Sequence, residues 1–446
     1  MNIGLFRMLL RPSRLGMNAV LLPAAGFTVV TTVTLGTMSI VLRLWAVPDN
    51  AFRAYALLGG ALMVFLVVPL VSLVNAATRL STRRRDDRLS TLRLLGASSG
   101  LLRRLGIAEM ATIAALGILA GTLVYFATAP LLALIPLQGK TVLPGDAWLP
   151  WQAILGVTAL VELLVVAIVV SGLRRVEVSP LEVRIHATPR GARVRELLVG
   201  IGVIIVGLVV MQLVGQNWGA TGIAIGYVIA LSAIMTAMNL TGPVLTSWIA
   251  WLRLRSATRL EHILASRSVL EDPKAAWRQV GPVGIATFIV VPAGSVLGYL
   301  NTIAMNSDAV GSAELMLFAD FRTAAVIATV TAFLIVGCSV GITQAAEILD
   351  RRATYVALNR IGVSGDLMQS ARRRAVWIPL SVAAIGAAAL STALMFMVVV
   401  ISLASSPLFI LGVVLLLVLG VLFVFAAVQA TRPVLTRVLA SPEQSL

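Results

Sequence analysis

The chain alternates long apolar stretches with short polar ones. The apolar stretches run over about 17–42, 55–80, 107–137, 153–173, 197–214, 220–250, 280–300, 323–349, 375–404 and 407–430. A helix of about 20 residues covers the ~30 Å hydrocarbon core of a bilayer. The stretches are therefore long enough for helices and too long for the strands of a membrane barrel. The pattern predicts an all-α polytopic membrane protein with about ten transmembrane helices. The even count places both termini on one side, and the longest stretches must tilt or project beyond the core.

Composition agrees. The 446 residues are 59% hydrophobic and 12% charged, with a mean hydropathy of +0.97. Soluble domains carry about a quarter charged residues, so an ordinary soluble enzyme is excluded. The net charge of +16 could suggest nucleic acid, but the basic residues lie in short loops between spans. Of the 35 lysines and arginines, only Arg43, Arg53, Lys140 and Arg322 fall on one side of the predicted topology. The rest cluster on the other, which makes that side cytoplasmic. Trp148 and Trp151 in the outer loop fit an interfacial aromatic belt. The first span follows Arg7, Arg11 and Arg14, is too long for a signal-peptide core, and is expected to be retained. The longest outer loop, 301–322, has no room for a folded domain. The lone cysteine, Cys338, reads as a small packing residue.

The chain also repeats itself. In an alignment of Arg88–Ser98 with Thr354–Ser364, Leu92 meets Leu358, Leu95 meets Ile361, Gly96 meets Gly362 and Ser98 meets Ser364. At the same offset spans 1–3 fall on spans 7–9, and span 4 corresponds to span 10. Spans 5 and 6 form an insert. This predicts a domain at 1–190, an insert at 191–255 and a second domain at 256–446, the two domains being parallel four-helix repeats. A lead-in helix and a proline break precede each repeat, at Pro12 and Pro273. The lead-in 257–271 is expected to lie in the interfacial plane on Leu260, Ile263, Leu264, Ser268 and Leu270.

The loop after the second span predicts two short helices and a corner. Leu89, Leu92 and Leu95 make one apolar stripe, and Arg85, Arg88 and Arg93 cover the rest. Gly96 stands where a helix end needs positive φ, and Ser98 or Ser99 can cap the next helix. The second copy keeps the Gly362 corner and the Ser364 cap. A basic loop could serve topology alone. Its duplication, with stripe and turn chemistry kept, favours a docking element.

The stretch Arg-Asp-Asp-Arg-Leu-Ser-Thr-Leu-Arg-Leu-Leu-Gly-Ala-Ser at 85–98, followed by Glu109, resembles the cytoplasmic signature of the FtsX-like permease family of ABC transporters. Val178-Ser-Pro-Leu-Glu-Val-Arg184 resembles the stretch that closes that family's domain. The second copy has Asn359 and Ala375 in place of the arginine and glutamate, and its closing stretch falls near Arg432-Pro433. The resemblance implies that each elbow is a coupling helix seated in a cleft of an ATP-hydrolysing partner. The coupling loops are 81–106 and 347–374. Their implied contact residues are Arg85, Arg88, Leu89, Leu92, Arg93, Leu95, Gly96 and Ala97, and in the second copy Tyr355, Leu358, Arg360, Ile361 and Gly362. Two copies of an ABC-type ATPase and a bacterial cytoplasmic membrane follow from the same resemblance. Many members carry a large extracellular domain after the first helix of a repeat; this chain has only 43–54 and 301–322 there.

The chain has no G-x-x-x-x-G-K-[ST] loop, no His/Cys cluster with metal spacing and no Ser–His–acid set on one membrane face. It should bind no cofactor or metal and should not itself be an enzyme; ATP and Mg belong to the partner. With no soluble outer domain, the expected cargo is amphipathic or hydrophobic (a peptide, lipid or drug), exported or extracted from the outer leaflet. The alternatives are a non-transporting module that signals to a sensor kinase or cell-wall enzyme, and a proton-driven carrier using Glu162. That carboxylate sits mid-span, where an ionisable group is costly and a functional candidate by default. Asn75, Gln212, Asn239 and Gln344 are expected to bond between helices. Gly59-Gly60, Gly117, Gly121 and Gly242-Pro243 offer close packing or a bend.

Overall fold

A computed structural model describes residues 17–46, 55, 58–60, 62–63, 70–71, 73–78, 99–137, 139, 148–178, 194–213, 219–306, 312–350, 352–405 and 407–440. The protein is all-α, with no β-strand among the described residues. In chain order the helices are α1 (Met17–Trp45), α2 (Ser99–Ala133), α3 (Trp151–Val178), α4 (Val194–Leu213), α5 (Gly219–Arg255), α6 (Leu260–Glu271) and α7 (Pro273–Asn306). They continue with α8 (Ser312–Asp350), α9 (Arg352–Arg360), α10 (Gly365–Leu394), α11 (Phe396–Ser405), α12 (Pro407–Gln429) and α13 (Arg432–Ala440). Between α1 and α2 the described residues of 55–78 are helical as well.

Among the described residues six helices are long and apolar enough to cross a membrane. They lie at Leu21–Trp45, Arg104–Ala133, Trp151–Ser171, Leu315–Leu349, Gly365–Leu394 and Ile410–Thr436. These coincide with predicted spans 1, 3, 4, 8, 9 and 10. Span 9 departs from expectation. Instead of running unbroken over 375–404, the helix ends at Met395 (φ −107°, ψ 27°), whose amide bonds to the Ser391 carbonyl. It begins earlier than predicted, at Gly365, so at a rise of about 1.5 Å per residue it is already long enough to span before the break. The remaining apolar residues form the separate helix α11.

The chain forms two compact units. One comprises Met1–Ala187, Gly311–Thr331 and Gly341–Ala346; the other comprises Thr188–Val310, Ala332–Val340 and Glu347–Leu446. The insert therefore lies in the second unit.

In the first unit α1 packs along α2, and α3 packs on both. The α1–α2 seam is built from small residues. A Cβ on Gly117 would lie 2.6 Å from the Ala24 carbonyl, and one on Gly121 would lie 2.7 Å from that of Thr28. The close approach lets Thr28 Oγ1 donate to Gly117 O at 3.2 Å and Thr32 Oγ1 to Gly121 O at 2.9 Å. Lipid tails are as apolar as the helices, so packing and hydrogen bonds of this kind must hold the pair. Towards the C-terminal end of α2, Tyr125 is fully buried with Leu35, Ala129 and Leu149, and its hydroxyl accepts from the Leu149 amide at 3.0 Å. Trp148 and Trp151 are exposed.

The same end holds a charged cluster that the sequence pattern did not single out. The Arg43 guanidinium donates to the Leu132 and Ile135 carbonyls, both at 3.0 Å. These carbonyls lie at and just beyond the C-terminus of α2, where a cation is favoured; that of Leu132 also accepts from the Ile135 amide. Tyr55 and Asp320 are 4% and 3% exposed, and the Tyr55 hydroxyl donates to Asp320 Oδ2 at 2.6 Å. A buried bond to a charged group contributes about 1.5–3 kcal/mol. Tyr55→Phe should therefore lower stability by that order, read as an earlier midpoint in denaturant titration of the protein in mixed micelles. An unchanged midpoint would mean that the bond contributes nothing.

In the second unit α7 and α10 form the centre. Trp277, Val283, Phe333, Val340, Leu380 and Val424 meet in its core. The insert helices α4 and α5 pair with each other, and α5 packs on α7 and α10. Glu196 accepts from Lys274 at 2.6 Å. Trp277 Nε1 donates to Asn239 Oδ1 at 3.3 Å, the interhelical bond expected of Asn239. Gly242 admits the Trp277 ring, which a Cβ would overlap.

The predicted lead-in helix and proline break appear as α6 and Pro273. Asp272 Oδ1 accepts from the Ala275 amide at 2.9 Å, an Asp N-cap with proline at the first helical position. On the predicted stripe Leu260 is exposed and Ile263, Leu264, Ser268 and Leu270 are half-buried. Ala265, Ser266 and Val269 are buried, and Val269 packs with Ala250 and Ile378, flanked by Leu270. Small residues win this face because α5 and α10 approach it closely.

Candidate functional site

The second elbow is described from Arg352 through its tip. α9 ends in a complete Schellman motif. Gly362 has φ 94°, its amide donates to Asn359 O at 3.1 Å, and the Val363 amide donates to Leu358 O at 3.0 Å. The pair of bonds satisfies carbonyls that the helix end leaves orphaned, and glycine takes the left-handed conformation without the Cβ penalty. Nothing lies within 4 Å of a Cβ built at Gly362, so backbone conformation alone selects glycine there. Ser364 Oγ then accepts from the Leu367 amide at 3.4 Å and caps α10.

One expectation is corrected. The second arm of this elbow is not a short helix; it is the start of α10, which runs on to Leu394. The Ser364 cap starts a helix, and the apolar residues that follow give it no reason to stop.

The predicted contact residues divide into two groups. Tyr355 and Leu358 face inward and pack with Val363 against Ile348, Val356, Met368 and Leu435. Arg360, Ile361 and Gly362 are exposed. Ile361 is 76% exposed, the most exposed large apolar side chain among the described residues. The apolar stripe thus fixes the elbow to its own unit, and the corner presents an uncovered isoleucine beside an arginine.

A brace was not legible in the sequence. The chain near Arg432-Pro433 forms α13, which packs on α9 and α10. Leu435 is buried beneath the elbow, flanked by Val434 and Leu439. Arg432 pairs with Asp366 at 2.8 Å; that pair is solvent-exposed and adds little. The signal was the spacing Val434, Leu435, Leu439, which is apolar on one helical face.

The first elbow's contact residues, Arg85, Arg88, Leu89, Leu92, Arg93, Leu95, Gly96 and Ala97, lie outside the described residues, as does Ser98. The helix that follows them, α2, begins at Ser99. Glu162 is half-buried on α3, and its Oε2 is buried with no hydrogen-bond partner among the described residues. No group of histidine, cysteine or acidic residues among the described residues could hold a metal ion.

Residues 60–180 match the family model described as FtsX-like permease C-terminal. The match is consistent with an FtsX-like permease domain over this stretch. The match begins within the 55–78 segment, takes in the first elbow, α2 and α3, and stops before the insert. No curated protein matches the chain. An FtsX-like permease domain marks an ABC-transporter-type membrane subunit. Members of the family generally work with an ABC ATPase and carry no nucleotide-binding motif of their own. With its apolar helices, the FtsX-like domain places the protein among multi-pass membrane proteins.

Proposed function

We propose that the protein is the permease subunit of an ABC exporter of the bacterial cytoplasmic membrane. Two FtsX-like domains, 1–190 and 256–446, would each present one elbow to one copy of a separate ABC-type ATPase. ATP and Mg would be bound by those partners. Closure of the ATPase pair would draw the elbows together and shift the two halves at the outer leaflet. The cargo that fits such a chain is amphipathic or hydrophobic: a peptide, a lipid or a drug taken from the outer leaflet. Short outer loops support this cargo class, because they leave no soluble domain to gather a hydrophilic solute.

The observation that carries the reading is the isoleucine held out on a capped, braced corner. An exposed apolar side chain on a rigid support suits burial in a partner's cleft. The test uses the purified chain in lipid nanodiscs. Alone it should show no ATP hydrolysis above background. Addition of the ABC ATPase encoded in the neighbouring reading frame should give a complex with two ATPase copies, stimulated by apolar peptides or lipids. Robust hydrolysis by the chain alone, or stimulation solely by a hydrophilic solute, would overturn it.

A further inference from the structure

The base of the second elbow contains a buried arginine that the coupling motif does not use. Arg372 is on α10, two turns after the Ser364 cap, and is 8% exposed. Its guanidinium donates to Gln369 Oε1 at 2.9 Å and to Thr431 Oγ1 at 3.3 Å. Gln369 in turn donates from Nε2 to Gln429 Oε1 at 3.4 Å. Glu347, near the inner end of α8, and Tyr355, on α9, also act electrostatically on the guanidinium. The guanidinium thus bonds within α10 and to the turn into α13, Gln369 carries the network on to the end of α12, and the whole lies in the field of the end of α8 and the elbow helix α9.

A buried charge is costly unless it is paired and hydrogen-bonded, and removing its partners is strongly destabilising. A joint of this kind is therefore stiff: the guanidinium's planar fork fixes the direction of each bond. The apolar side of the same joint is Leu435 of α13, which is 2% exposed beneath Val356 and Met368.

The repeat makes the arrangement one-sided. At the offset that superposes the elbows, Gly106 stands where Arg372 does. Gly106 is buried and can supply no guanidinium. The neighbouring Arg104 is exposed.

We propose that Arg372 is a positioning residue that, with α13, welds the second elbow to α10 and α12, so that a push on this elbow is transmitted as a rigid-body displacement of its bundle. At the matching position the first half carries Gly106, so the joint has no counterpart there. The proposal deepens the docking reading above and rests on it for its functional meaning. The joint itself is tested without any partner.

The full chain, with Cys338→Ala, is labelled with nitroxides at Asn359→Cys and Thr436→Cys, both at exposed positions, and reconstituted in nanodiscs. Electron–electron distance measurement should give one narrow distribution. Arg372→Gln should broaden it roughly twofold, and Arg372→Lys should restore part of the sharpness through its retained charge. Should Arg372→Gln fail to insert, Thr431→Val removes one acceptor and should still broaden the distribution. An unchanged width in both variants overturns the joint. Narrow wild-type and broad variant distributions in a chain that captures no ATPase would leave the joint standing and overturn the docking reading instead.

Discussion

Ile361→Asp should abolish productive association with the ATPase while leaving the permease folded. The residue is 76% exposed in the free chain, so the substitution removes almost no internal packing. Surface changes of this kind usually stay within about ±0.5 kcal/mol of stability. In the docked state the same side chain would be buried. Burying an isoleucine is worth about 1.5–3 kcal/mol, and an aspartate in its place would add an unpaired buried charge. Interface anchors of this type commonly cost 2 kcal/mol or more when removed. A loss of about 3 kcal/mol corresponds to more than a hundredfold in affinity. Retention of the ATPase on immobilised permease, measured at fixed ATPase concentration, should fall by that order. The unfolding midpoint should not move. Gly362→Val acts differently. It forces a β-branched residue to φ 94°, at about 1–2 kcal/mol, and should weaken retention together with local order at the elbow. Unimpaired retention in both variants would leave the corner without a role.

Gly121→Leu should produce the largest loss of stability in the first unit. Its Cβ would meet the Thr28 carbonyl at 2.7 Å and Thr31 Cβ at 2.7 Å. The first of these is backbone, which cannot swing aside as a side-chain end can. α1 must move away, and both cross-helix threonine bonds lengthen with it. Overpacking typically costs 1–3 kcal/mol, and interhelical bonds in membranes average about 0.6 kcal/mol; the variant should therefore lose about 3 kcal/mol. Gly156→Leu is the matched control. It lies on the exposed side of α3 with nothing within 4 Å of its Cβ, and should unfold as the parent does. Denaturant titration in mixed micelles reads the difference. Equal midpoints for the two variants would show that the seam does not hold the helices.

The features that were legible in the sequence are those set by local chemistry. Gly362 followed by Ser364 marked a corner because only glycine takes a left-handed helix end freely and only a short oxygen-bearing side chain caps the next helix. Pro273 after Asp272 marked a break for the same kind of reason. The long apolar stretches marked helices because lipid leaves no other way to satisfy the backbone.

Tertiary partners were not legible. The apolar stripe of α6 was legible, but the packed side made by Ala265, Ser266 and Val269 against α5 and α10 was not. Arg372 looked like one of three cytoplasmic arginines in a row. Only the fold shows that it turns inward to Thr431, 59 residues away. Tyr55 and Asp320, 265 residues apart, share no local signal at all. Ile361 was legible as part of the elbow, but its exposure depends on how α13 and Leu435 fill the space beneath.

Cysteine cross-linking at the corner tests the docking reading most directly. Ile361→Cys in a Cys338→Ala background, labelled with a maleimide-linked benzophenone and irradiated in membranes that hold the ATPase, should give an adduct of permease and ATPase subunit, because the excited ketone inserts into any C–H bond within reach. Met397→Cys, equally exposed on α11 at the other end of the bundle, should give none. No adduct at 361 in a membrane where the ATPase is bound, or equal adducts at both positions, would contradict it.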